Sequence, residues 1–170
     1  MRILSKDERH VVRFKLNGES VEGLAAPRML LTDFIRHEIG STGTHVGCEH
    51  GICGACTIRL DGKAVRACLM LAVQADGRAV ETVEGLAAKD GGLSILQQSF
   101  HRNFALQCGY CTPGFLMTLQ DYLERHPDPS EADIRAALSG NLCRCTGYAE
   151  IVKAALEAAR EMRERNRKAP

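Results

Sequence analysis

Eight cysteines carry the chemistry open to this chain, and their spacing sorts them into two groups of four. Cys48, Cys53 and Cys56 stand in the loop Gly47-Cys48-Glu49-His50-Gly51-Ile52-Cys53-Gly54-Ala55-Cys56, and Cys68 follows after eleven intervening residues. The spacing C-x4-C-x2-C with a distal cysteine lets a loop wrap three thiolates around one face of a two-iron, two-sulfide cluster while a neighbouring strand brings the fourth. Gly43, Gly47, Gly51 and Gly54 suit such a loop, because backbone N–H groups aimed at sulfide need close approach and, in places, positive φ. The second group joins a C-x2-C (Cys108, Cys111) to a C-x-C (Cys143, Cys145) across 31 residues. It closes on one tetrathiolate site only if two turns meet in space, which antiparallel helices arrange. Four is the ligand count of one such site, so two sites leave no thiol over.

Bulk properties narrow the function classes. A chain of 170 residues, 45% hydrophobic, holds enough apolar side chains for a real core. With 22 Lys+Arg against 21 Asp+Glu the net charge is +1, and the one basic cluster is the run Arg160 to Lys168, so no nucleic-acid or membrane-surface partner is expected. Met1 to Arg9 shows neither an apolar signal stretch nor a twin arginine, and no window reaches the roughly 18 apolar residues of a membrane span. A cytoplasmic protein is expected, and in a reducing compartment metal ligation is the commoner use of cysteine than disulfides. Other metal readings fit less well. A zinc ribbon from Cys53, Cys56, Cys108 and Cys111 strands the other four thiols. A Rieske centre lacks the C-x2-H half that would have to follow Cys48-Glu49-His50. His50 and His45 are expected as loop side chains near a cluster, tuning it by a hydrogen bond or only packing. No nucleophile–base pair, phosphate loop or dinucleotide fingerprint is present, which leaves electron transfer as the chemistry of the chain itself.

The elements that must position the thiols follow from periodicity. Val11 to Leu16 alternates apolar and polar, Asn17-Gly18 offers a two-residue turn, and Glu19 to Leu24 completes a β-hairpin. Leu30, Leu31, Phe34 and Ile35 lie on one face of a short amphipathic helix that Gly40 ends. Thr57 to Leu60 turns at Asp61-Gly62 and returns through Ala64 to Leu71, carrying Cys68; Ala79 to Val83 reads as one more strand. From about Leu93 the period lengthens to that of helices, with Lys89-Asp90-Gly91-Gly92 as the linker. One helix shows Leu93, Leu96 and Phe100. A second starts at Pro113, shows Phe115, Leu119, Tyr122 and Leu123, and ends before Pro127. A third opens at Ser130 with Asp133 three positions on and closes at Gly140, and the last, from Glu150, turns Ile151, Val152, Ala155, Leu156 and Ala159 inward.

Cluster loop, sheet and helix over about residues 10 to 83 resemble the β-grasp fold of plant-type ferredoxins. The motifs Gln107-Cys108-Gly109-Tyr110-Cys111-Thr112-Pro113-Gly114 and Asn141-Leu142-Cys143-Arg144-Cys145-Thr146-Gly147-Tyr148, following the first cysteine loop, resemble the iron–sulfur subunit of the molybdenum hydroxylases, the xanthine dehydrogenase and carbon monoxide dehydrogenase family, over about residues 10 to 160. The resemblance implies an α+β chain with a ferredoxin-like domain over 1–88 and a helical four-helix-bundle domain over 89–170. It implies a [2Fe–2S] cluster in each, the first facing an FAD domain and the second a molybdopterin cofactor. Those cofactors would lie on a medium and a large partner subunit, in a heterotrimer or its dimer, within a molybdenum- and flavin-dependent oxidoreductase. Gln107 would contact the pterin, with Cys145 nearest to it, and electrons would pass from molybdenum through the second and then the first cluster to FAD. A free-standing two-cluster electron carrier stays open as the other reading, as does a zinc-stabilised interaction module.

Overall fold

The computed structural model describes residues 4–87 and 91–168. Lys89 and Asp90 of the expected linker, the boundary expected between residues 88 and 89, and Met1 to Ile3 lie outside the described residues.

Strands β1 (His10–Leu16) and β2 (Glu19–Ala25) pair antiparallel as the hairpin expected, from His10 opposite Ala25 to Leu16 opposite Glu19. Asn17 and Gly18 make the turn at φ 53° and 91°, the doubly left-handed geometry that an Asn-Gly pair tolerates. Val12, Phe14 and Leu16 point inward while Val11, Arg13 and Lys15 face water, as a period of two dictates. Helix α1 (Leu31–Asp33) continues into a widened π-turn over Phe34–Glu38, where the Ile39 N–H reaches back to the Phe34 carbonyl at 3.0 Å. Gly40 ends it at φ 84°. Leu31, Phe34 and Ile35 are buried as expected, but Leu30 stays extended ahead of the helix and bridges to Leu71.

Strands β3 (Thr57–Leu60) and β4 (Lys63–Arg66) form the second hairpin. The return strand was expected to run on to Leu71, yet it stops at Arg66. The Ala67 N–H turns to the Cys56 carbonyl at 3.2 Å, and Cys68 rides on the 3-10 turn Ala67–Leu69. The fourth thiol of the first group is thus brought by a turn just past a strand. Strand β5 (Ala79–Glu81) slots between β1, parallel, and β3, antiparallel, so the mixed sheet runs β2-β1-β5-β3-β4. Its core holds Phe14, Leu31, Phe34, Ile35, Ile58 and Val80, with Cys56 and Cys68 at its margin.

A second core lies among four helices: α2 (Ile95–Arg102), α3 (Thr112–Arg125), α4 (Glu131–Ala137) and α5 (Ala149–Lys168). Ser94 with Gln97 caps α2, Pro113 sits in the first turn of α3, and Ser130 with Asp133 caps α4. Leu96, Phe100, Phe115, Leu119, Leu123, Ile134 and Ile151 fill this core; Leu93 precedes the α2 cap and is exposed, and Tyr122 and Leu156 are only half-buried. Alanines at 154, 155, 158 and 159 line the inner face of α5 and let α2 approach closely enough for Ser99 Oγ to donate to the Ala154 carbonyl at 2.8 Å. The two cores meet where α3 covers β3, which is why all four β3 residues are buried, Arg59 included. Arg59 binds Glu124 of α3 at 2.5 Å and Glu81 of β5 at 2.9 Å. Among the described residues no helix is long and apolar enough to cross a membrane.

Candidate metal centres

The first cysteine loop has almost no regular structure, so its backbone is free to point inward. Glu49, Gly51 and Gly54 take positive φ, and Cys48 Sγ accepts N–H hydrogen bonds from His50 and Cys53, each at 3.4 Å. Those two N–H groups hold the Cys48 thiol down to about 6, well below an ordinary cysteine. Burial acts the other way deeper in the loop, raising Cys53 and pushing Cys56 up to about 12. Gly47 shows how tightly the backbone is drawn in, since a Cβ there would stand 3.0 Å from Cys53 Sγ. Gly43 serves a different end from the one expected. Its N–H donates to Glu84 at 2.7 Å, and a Cβ would meet Val83 and Glu84, so it is glycine for packing and not for the thiols.

The second group sits at the entry to α3 and in the turns before α5. Cys108 and Cys145 are exposed with their sulfurs 3.4 Å apart, while Cys111 and Cys143 are half-buried. The Tyr110 N–H lowers Cys108, and contact with the Cys108 thiol raises Cys145. Burial pushes Cys111 up to about 12. Burial also works against Cys143, but donors from Thr146, whose N–H lies 3.2 Å from Cys143 Sγ, outweigh it and leave that thiol lowered.

The thiols gather in two sets, the same two into which the spacing sorts them. Cys48 interacts with Cys53, and Cys56 with both Cys68 and Cys53; Cys108 interacts with Cys145, and Cys111 with both Cys143 and Cys108. Among the described residues no three His, Cys, Asp or Glu side chains close on one point as the ligands of a single ion do. Four thiols per site is the donor set that a two-iron centre asks for. The N–H groups that point at Cys48 and Cys143 fit the anion that results when thiols bind metal in a [2Fe–2S] cluster.

The two sets stand back to back across a polar seam, invisible in the motif spacing. The Leu142 N–H donates to the Cys53 carbonyl at 2.9 Å, tying the residue before Cys143 to a thiol-bearing residue of the other set. Buried Asn141 donates to the Gly54 carbonyl at 3.4 Å and accepts from Thr118 at 3.0 Å. A Cβ on Gly54 would stand 2.5 Å from the Gly140 oxygen, and one on Gly114 would overlap the Gly54 carbonyl. At the rim Tyr110 donates to the Val46 carbonyl at 2.6 Å and stacks on His45 at 4.7 Å between centroids. His45 thus joins the two loops, whereas His50 turns its ring to the carbonyl of Cys48. Gln107 lies exposed between Leu106 and Cys108. Apolar side chains flank both sets in the open: Ile52 and Leu69 beside the first, 65% and 62% exposed, and Phe104, Tyr110 and Leu142 beside the second, with Phe104 82% exposed.

Known proteins are similar to this chain over most of its length. Residues 5–90 match the family of 2Fe-2S iron-sulfur cluster binding domains, and residues 82–156 match the [2Fe-2S] binding domain. The caffeine dehydrogenase subunit gamma of Pseudomonas sp. (strain CBB1) is 56% identical over 148 residues, 85% of this chain and 88% of that one. The nicotine 6-hydroxylase small subunit of Paenarthrobacter nicotinovorans is 49% identical over 162 residues, 95% of this chain and 97% of its own. Among solved structures, quinoline 2-oxidoreductase from Pseudomonas putida 86 superposes with a TM-score of 0.89 at 46% identity, covering 93% of this chain and 98% of the matched one.

Proposed function

From the membership of this chain in the small iron–sulfur subunits of the molybdenum hydroxylases, we propose that its eight cysteines hold two [2Fe–2S] clusters that relay electrons between a molybdopterin subunit and an FAD subunit. The observation that carries the assignment is the match of residues 5–90 and 82–156 to two [2Fe-2S] binding domains, each holding one of the two sets of four thiols. Cys48, Cys53, Cys56 and Cys68 hold the first cluster, and Cys108, Cys111, Cys143 and Cys145 the second. Each cluster, when bound, supplies a one-electron acceptor and donor, and the substrate chemistry belongs to cofactors on other subunits. This chain provides the thiolates, the N–H groups that favour their ionised form, and a buried flank at Cys56 and Cys68 that excludes water.

The exposed edge of the second site, Cys108 and Cys145 with Gln107 beside them, suits the molybdopterin side, with the Gln107 amide free to meet the pterin. The edge at Cys48, flanked by exposed Ile52 and Leu69, suits the flavin side. We assign residues 1–88 to a β-grasp, ferredoxin-like domain and 89–170 to a helical bundle domain, in keeping with the two hydrophobic cores. The assembly is a heterotrimer with large molybdopterin and medium FAD subunits, or its dimer, in the cytoplasm. The three relatives are named for caffeine, nicotine and quinoline, which supports a nitrogen heterocycle as the substrate of the assembled enzyme. A carrier acting alone is the weaker reading, because the most similar relatives are named as subunits.

Metal analysis with paramagnetic resonance tests the assignment. About four iron and four acid-labile sulfide per chain are expected, with two distinct signals on reduction. Cys143→Ser should remove one signal and Cys53→Ser the other. Saturation at two iron, or preference for zinc, refutes it.

A further inference from the structure

We propose that Arg66 is a counter-charge shared by the two cysteine sites, holding the potentials of both clusters above what their ligands alone would give. This rests on the two-cluster reading and adds to it a residue that binds no metal. Arg66 ends β4, two residues before Cys68, and is half-buried. One arm of its guanidinium donates to the Gly140 carbonyl at 2.7 Å, three residues before Cys143. The other arm reaches the hydroxyl of Thr57, the neighbour of Cys56. That hydroxyl donates onward to the Gly54 carbonyl at 2.6 Å, between Cys53 and Cys56, where Asn141 also donates. The cation therefore stands in the seam where the two sets of thiols back onto each other.

Its partners are all neutral. Among the described residues no carboxylate lies within ion-pair distance of Arg66, whereas Arg59, on the adjacent strand, meets both Glu81 and Glu124. Drawing a cation out of water without an anion costs free energy that two neutral acceptors return only in part. The missing anion is supplied if the thiols around the seam are iron-bound. A two-iron, two-sulfide centre with four thiolates is a dianion when oxidised and gains one more negative charge with each electron. A guanidinium stays charged at every accessible pH, so it favours the reduced form over the oxidised one at all times. Arginine also keeps both hydrogen bonds while holding its charge in place, a planar fork that lysine cannot reproduce.

The test compares Arg66→Gln and Arg66→Met, both neutral, with Arg66→Lys, in the assembled enzyme, by redox titration followed with paramagnetic resonance. At a fixed potential the reduced-to-oxidised ratio of the first cluster should fall about tenfold in each neutral variant, which is about 59 mV for a one-electron couple. The second cluster should move in the same direction by less, and Arg66→Lys should recover most of both shifts. Unmoved potentials in the neutral variants, with both signals intact, overturn the proposal, as does a lysine variant that shifts as far as glutamine. If the neutral variants fail to load iron and the lysine variant loads it, the charge is required and the proposal stands. Loss in all three makes Arg66 a structural residue and overturns it. Wild-type enzyme lacking four iron or two signals would instead refute the cluster assignment, a different result from any of these.

Discussion

Gly114→Ala sets two opposed effects against each other where α3 leans on the first cysteine loop. Gly114 is the third residue of α3, and alanine inside a helix is favoured over glycine by roughly 1 kcal/mol. Against this, the added Cβ would overlap the Gly54 carbonyl oxygen and stand 3.0 Å from both Ala55 Cα and Gly54 C. All three are backbone atoms, so no side chain can swing away and α3 or the loop must shift bodily. Overpacking of this kind costs about 1–3 kcal/mol, and the fixed neighbours put it at the upper end. The net loss is about 1–2 kcal/mol, or roughly 2–8 °C in midpoint for a chain of this size. Anaerobic calorimetry of the iron-loaded chain measures it. The shift also reaches both metal sites, because Gly54 lies between Cys53 and Cys56 while α3 begins one residue after Cys111, so both paramagnetic signals should broaden. A midpoint that rises, with iron content and signals unchanged, would show that α3 slides freely over the loop and that the seam is not rigid.

With iron removed, Cys48 should be alkylated at a rate that climbs with pH through about 6, where its N–H donors place its ionisation, while Cys56 stays inert until about 12; mass spectrometry of the labelled chain reads both, and equal reactivity at neutral pH refutes the stated N–H and burial effects. Arg59→Ala strips Glu81 and Glu124 of their cation and unties α3 from β3. Since both carboxylates are partly exposed, the cost should be about 1–2 kcal/mol by thermal unfolding, less than a fully buried pair would lose. Phe104→Ser should leave the stability of the isolated chain within about 0.5 kcal/mol, because the ring is 82% exposed, yet weaken association with the proposed large subunit in gel filtration if that subunit covers it.

The gathering of the first three thiols was legible because it is a local demand: three cysteines within nine residues share one loop, and glycine lets that loop draw its backbone close to sulfur. The Asn17-Gly18 turn, Pro113 at a helix start and the Ser130 cap were legible for the same reason, each acting within four residues of itself. Long-range pairing was not. The place of β5 between β1 and β3 depends on partners more than sixty residues away in the case of β1, and no local pattern encodes it. The π-turn at Phe34–Glu38 keeps the same apolar residues buried as an α-helix would, so periodicity does not distinguish them. Cys68 looked like a strand residue because its flanks are apolar, and only the Ala67 bond to Cys56 turns the chain there. Arg66 carries no signal in its own neighbourhood, and the motifs that hold Asn141 and Tyr110 do not show what those two side chains touch. Their importance comes from meeting residues of the other half across the seam.

The bond from the Leu142 N–H to the Cys53 carbonyl constrains how such chains can be recombined. Two separate hydrophobic cores invite the exchange of halves between relatives, as if each were a separate cassette. Yet the backbone that shapes one metal site is completed by the backbone that precedes the other, and Gly54 leaves no room for a side chain beneath Gly140. A chimera joined between the two cores inherits a mismatch at both sites unless Gly54, Gly114, Asn141 and Leu142 travel together. The unit of inheritance is therefore the seam, and the covalent join between the halves is the less informative place to cut.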